Sequence, residues 1–165
     1  MSLVDDVRDR IVQATLRLEG ATGLDPAVAA IEPAISSVFG SGERARVLRG
    51  EWLGHAVHPV LTDQVLGSWT SATVLDLIGG KSSTSAARRL VGVGLVAVAP
   101  TAWTGWAEWA AAESRDKRVG LVHAVTNGFA IAAYAASWMV RGRGQQRLGV
   151  GLALAGAAAS GIGGY

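Results

Sequence analysis

The feature that most constrains this chain is the length of the stretches from which charge is withheld. Its 15 basic residues fall in five clusters: Arg8, Arg10, Arg17; Arg44, Arg46, Arg49; Lys81, Arg88, Arg89; Arg115, Lys117, Arg118; and Arg141, Arg143, Arg147. Beyond residue 50 the clusters bound four stretches, at about 59–78, 90–110, 119–140 and 148–165. The third carries only His123 as an ionisable group, the second only Glu108, and the fourth none. A bilayer crossing takes about 17–25 mostly apolar residues, which these meet. The first stretch holds Asp63 and Asp76, so it qualifies only if both lie near its ends or face protein. A soluble helical bundle is the competing solution, but each of its helices would need a polar face, and the last three stretches have no charged one.

Composition narrows the function classes. Half of the residues are hydrophobic and 17% are charged, against about 25% charged in an ordinary soluble domain, which excludes intrinsic disorder. The absence of Cys excludes disulfides and thiolate metal sites on this chain. A net charge of +2 with no basic patch argues against nucleic acid as a partner. The predicted fold is therefore all-α: a four-helix transmembrane bundle over residues 51–165, preceded by an amphipathic helical segment over 1–50. The lipid bilayer is its first partner.

The first 50 residues carry too many charges for a signal peptide. Ser2 with Asp5 three residues on reads as a capping box, and Val4, Val7, Ile11, Ala14 and Leu18 share one helical face. A second helix is expected to start at Asp25-Pro26, to be interrupted at Pro33 and to end at Gly40-Ser41-Gly42. The basic clusters balance three against three across a four-span bundle, so the positive-inside rule adds little until Arg8, Arg10 and Arg17 are counted. These favour both termini in the cytoplasm, in a bacterial inner membrane.

With four spans, His55, His58, Asp63, Glu108, His123 and Asn127 fall at one end of the bundle, and Asp76 at the other. On the third span His123, Asn127, Ala130, Tyr134 and Ser137 lie within about 80° of arc at 100° per residue. On the second, Thr101, Thr104 and Glu108 share a face with Gly94 and Ala97, and Trp103, Trp106 and Trp109 are expected to look outward as an interfacial belt. Thr62, Asp63, Leu66, Thr70 and Thr73 make a third stripe. Polar stripes of this kind turn toward one another, because an ionised group at the bilayer centre costs at least about 2.5–3.5 kcal/mol. Pro100 is expected to kink its helix. The glycines of the last stretch suit close helix packing.

Gly54-His55-Ala56-Val57-His58-Pro59, Thr104-Gly105-Trp106-Ala107-Glu108-Trp109 and His123-Ala124-Val125-Thr126-Asn127 together resemble the bacterial membrane family called domain of unknown function 2231, over roughly residues 48–165. The resemblance implies four membrane helices, no established activity, and polar family positions at His55, His58, Glu108, His123 and Asn127. Some relatives continue into a Rieske iron–sulfur domain, which implies a Rieske-type redox partner and membrane electron transfer. Many relatives carry His-Phe-Pro shortly after the His-Pro; here Asp63-Gln64-Val65 stands instead.

Three chemistries suit these residues. The first is a cofactor-holding or redox-associated domain, with haem b or quinone held by His58, His123, Asn127 and Glu108; Gly92, Gly94, Gly105, Gly120 and Gly128 would give a porphyrin room. The second is a divalent-metal site of His55, His58, His123 and Asp63, or with Glu108 as the carboxylate. The third is a non-enzymatic membrane scaffold or partner subunit, whose polar stripes hold helices together. No Gly-x-Ser-x-Gly element or phosphate-cradling loop is present, so the chain is not expected to be an enzyme on its own.

Overall fold

A computed structural model describes residues 3–163, and their fold is all-α. Seven helices follow in order: α1 Leu3–Glu19, α2 Asp25–Phe39, α3 Gly42–Leu48, α4 His58–Ile78, α5 Thr84–Ala111, α6 Ser114–Gly142 and α7 Gln146–Gly163. Helix α4 packs on α5, α5 on α6, α6 on α7 and α7 on α4, so the four long helices close into a ring. The connections are short. Gly79-Gly80 and a 3-10 turn Lys81–Ser83 join α4 to α5, and Gly144 at φ 79° turns the chain into α7.

The outer faces are unlike those of a soluble bundle. Large apolar residues lie outermost on all four long helices: Ile78 is 81% exposed on α4, Val96 77% on α5, Phe129 70% on α6 and Ile162 70% on α7. Inside, Ser68, Thr104, Ser137 and Arg141 are buried beside Val65, Trp69, Val91 and Tyr134. Helices α5 and α6 are long and apolar enough to cross a membrane, yet only 22% and 11% of their most apolar stretches is covered by protein. Water would penalise so much exposed apolar surface on a monomer.

The core is built on glycine contacts. A Cβ on Gly94 would sit 2.2 Å from Trp69 Nε1, so only a glycine lets that ring lie against α5. There Trp69 donates to the Val91 carbonyl at 3.3 Å and stacks on Tyr134 with centroids 3.8 Å apart. Tyr134 in turn lies over Gly156 of α7.

Helices α1 to α3 pack on the end of the ring where α5 finishes and α6 begins. Arg118 donates to Asp25 at 2.6 and 3.0 Å and to the Glu19 carbonyl, while Lys117 meets Glu32 at 2.5 Å. Ser2 lies outside the described residues, so its capping box stays an expectation. One proline expectation is corrected: helix α2 is not interrupted at Pro33 but runs on to Phe39. Pro100 lies within α5, on its exposed side.

Candidate functional site

The two ends of the ring use their polar residues differently. At the end formed by the C-terminus of α4, Arg141 of α6 donates from Nη1 and Nη2 to Asp76 Oδ1 and Oδ2 at 2.8 and 2.5 Å. Both side chains are almost wholly enclosed, at 0% and 2% exposure. Arg141 Nε donates to Ser137 Oγ at 3.0 Å, and that hydroxyl donates to the Gly149 carbonyl at 2.6 Å. Gln146 adds a bond to Asp76 at 3.2 Å. Every strong donor and acceptor here has a partner, the condition under which a buried ion pair is tolerated. The stripe from His123 to Ser137 continues one turn further to Arg141, which in the sequence stands out only as part of the cluster with Arg143 and Arg147.

At the other end a cavity of about 410 Å³ opens between α4, α5 and α6. His58 and Thr62 of α4, Thr101 and Glu108 of α5, and His123 and Asn127 of α6 supply its polar groups. Leu66, Val98 and Ile131 line it toward the bundle centre, and Trp69, Trp106 and Trp109 supply aromatic walls.

Each imidazole is fixed by a backbone carbonyl. His58 begins α4, just before Pro59, and its ring lies against α5, where a Cβ on Gly105 would come within 2.8 Å of it. Its Nδ1 is 2.9 Å from the Thr101 carbonyl oxygen and 3.1 Å from Thr104 Oγ1. His123 lies two and a half turns into α6, and its Nδ1 is 2.6 Å from the Gly163 carbonyl at the end of α7. Asn127, one turn on, donates to the His123 carbonyl at 2.9 Å. Glu108 differs from both: its Oε1 is buried and has no hydrogen-bond partner among the described residues. An orphaned polar atom of this kind costs about 1–3 kcal/mol, which packing alone gives no reason to keep.

Other expected site residues lie elsewhere. His55 is exposed and turns back to the carbonyl of its neighbour Ala56 at 2.8 Å, and Asp63 is exposed on α4. The metal shell of His55, His58, His123 and Asp63 is therefore not brought together. Among the described residues no three His, Asp or Glu side chains are placed to hold a metal ion. The room expected for a porphyrin is also taken. Trp138 lies over Gly92, Trp69 over Gly94, His58 over Gly105 and Trp109 over Gly120. Gly128 alone meets nothing, but it faces outward.

The outward tryptophan belt is corrected as well. Trp103 is 56% exposed, but Trp106 lines the cavity, and Trp109 is buried with its Nε1 donating to the Lys117 carbonyl at 2.9 Å. A spacing of three falls about 60° short of a full turn each time, so Trp109 lies about 120° around the helix from Trp103. Asp116, which no motif in the sequence marks, lies two turns before His123 and lines the same cavity.

A family model described as a predicted membrane protein, DUF2231, matches residues 54–164, from the Gly-His element to the last turn of α7. No curated protein matches the chain, and no solved structure matches it.

Proposed function

The chain belongs to the DUF2231 family of predicted membrane proteins, and from that premise we propose that it is a four-span membrane domain whose cavity holds a quinone-type head group. Residues 51–165 carry the spans, at about 59–78, 90–110, 119–140 and 148–165, and residues 1–50 form a helical segment seated over the cavity end. The apolar outer faces of all four long helices support this, because lipid is the solvent that accepts them. An even number of spans puts both ends of the domain on one side, and the Arg-rich first helix favours the cytoplasmic side of a bacterial inner membrane.

The unpartnered Glu108 oxygen, in a cavity shared with His58 and His123, carries the ligand reading. Its volume lies in the range of small-molecule sites, and apolar walls with a few convergent polar groups fit a flat ring with a hydrophobic tail. His58, His123 and Asn127 would orient the ring, and Glu108 would take up or release a proton beside it. Haem does not fit, since the glycine notches it would use are filled by the protein's own rings. A scaffold role accounts for the satisfied Asp76 end but gives no reason for the bare carboxyl at the other.

The test uses membranes containing the chain, first washed with alkaline carbonate, then illuminated with a photoreactive benzoquinone. The protein is expected to stay in the washed membranes and to carry label on the peptides around Trp106 and His123. Release from the membranes, or label that persists when His58 and His123 are both replaced by Ala, contradicts the proposal.

A further inference from the structure

We infer that the cavity selects the reduced, dihydroxy form of such a ring over the oxidised quinone, an inference that rests on the proposed head-group site. Its basis is the tautomer in which both imidazoles are held. A carbonyl oxygen only accepts hydrogen bonds, so a ring nitrogen bonded to one must carry the proton. His58 Nδ1 meets the Thr101 carbonyl and His123 Nδ1 meets the Gly163 carbonyl, which makes both Nδ1 atoms donors. In a neutral imidazole the other nitrogen is then a bare acceptor. Neither Nε2 has a protein partner among the described residues.

The rest of the lining leans the same way. Glu108 Oε1 is a third acceptor without a donor. Most lining donors are already engaged: Trp69 with Val91, Trp109 with Lys117, Thr62 with His58, and Thr101 with Ala97. What remains is the Trp106 indole N–H; Asn127 Nδ2 donates to the His123 carbonyl at 2.9 Å and lies 3.4 Å from His123 Nδ1, a longer contact than the 2.6 Å from Nδ1 to the Gly163 carbonyl. A quinone would bring two carbonyl acceptors to a lining already rich in acceptors. A quinol brings two O–H donors, and the site's unpaired groups then gain partners, the arrangement that discriminates most strongly between ligands differing in a hydroxyl.

The experiment uses the full chain in lipid nanodiscs under anaerobic conditions, titrated by tryptophan fluorescence, since Trp69, Trp106 and Trp109 line the cavity. Three probes are compared: a short-tailed benzoquinol, the corresponding benzoquinone, and the quinol's dimethyl ether, which keeps the ring and lacks the O–H groups. The quinol is expected to bind at least about tenfold more tightly than either of the others, and to lose that advantage when His58 or His123 is replaced by Ala. Equal or tighter binding of the quinone overturns this inference and leaves the head-group site standing. If none of the probes binds, or if binding ignores both His substitutions, the head-group site falls with it. Nitrogen-15 spectra of the imidazoles give an answer that needs no variant: both rings are expected to be neutral and protonated at Nδ1, and protonation at Nε2 on either overturns the inference.

Discussion

The two ends of the helical ring are built from similar residue types and have opposite fates. At the Asp76 end, carboxylate, guanidinium, hydroxyl and amide are all paired at 2.5–3.2 Å, and no strong polar atom is left bare. At the Glu108 end, two imidazoles are braced by carbonyls, a carboxyl oxygen has no partner, and a cavity of about 410 Å³ remains between them. In a low-dielectric interior the first arrangement stabilises and the second destabilises. A fold keeps a destabilising arrangement where it has a use, so the contrast separates the residues that hold the bundle from those proposed to serve a ligand.

The largest expected effect lies at the closed end. Replacing Arg141 by Ala leaves Asp76 enclosed and unpaired, and should lower unfolding stability in mild detergent by about 3–5 kcal/mol. Replacing Asp76 by Leu and Arg141 by Met together should recover much of that loss, because two apolar groups need no partner. A double variant no better than the single would show that the pair is not what holds this end.

Packing between the ends comes next. Gly94→Ala drives a methyl group into Trp69, which must leave its bond to Val91 and its stack on Tyr134. A loss of about 1–3 kcal/mol is expected, the usual range for overpacking. Gly128→Ala, with open space around the new methyl, serves as the silent control in the same unfolding measurement.

Smaller effects are expected in the N-terminal segment. Arg118→Ala removes the bonds to Asp25 and the Glu19 carbonyl, a partly exposed contact worth about 1 kcal/mol or less. Its signature is faster proteolysis within residues 1–50 with the bundle's unfolding unchanged. Smallest of all is the Glu51 cluster, where hydrogen bonds from Arg49 and then Arg46 hold the Glu51 carboxyl below its ordinary value. The folded pKa is the depressed one, so the contribution is present above the ordinary Glu pKa of about 4.3 and fades as pH falls through the lowered value. Amide protection in the turn Glu51–Leu53, taken relative to the free chain at the same pH, should fall over that acidic window, and Glu51→Gln should remove the dependence.

Much of this was legible in the residues because lipid imposes a simple rule. The charge-poor stretches 90–110 and 119–140 fall within the helices Thr84–Ala111 and Ser114–Gly142, and the described part of 148–165 within Gln146–Gly163. The helices begin earlier because charge marks where a side chain meets water, not where a helix starts; Arg88 and Arg89 are already helical on α5. The stripe from His123 to Ser137 also lies on the inward face, since 100° per residue fixes it. What stayed hidden depends on distance between segments. Nothing local says that Arg141 reaches Asp76, 65 residues away, or that the glycines expected to admit a porphyrin are filled by Trp69, His58, Trp109 and Trp138. The i, i+3 spacing that pairs His55 with His58 for a metal shell does not survive either, since His55 turns outward while His58, three residues on, faces the cavity.

The most direct measurement compares Glu108→Gln with Asp76→Asn by reversible unfolding in the same lipid bicelles. With Glu108 serving a ligand and Asp76 holding the fold, Asp76→Asn should lose several kcal/mol, as a broken buried pair does. Glu108→Gln should lose little or nothing, because no hydrogen bond to Oε1 is there to be broken. A Glu108→Gln protein destabilised as severely as the Asp76 variant would make that end another clasp and contradict the account.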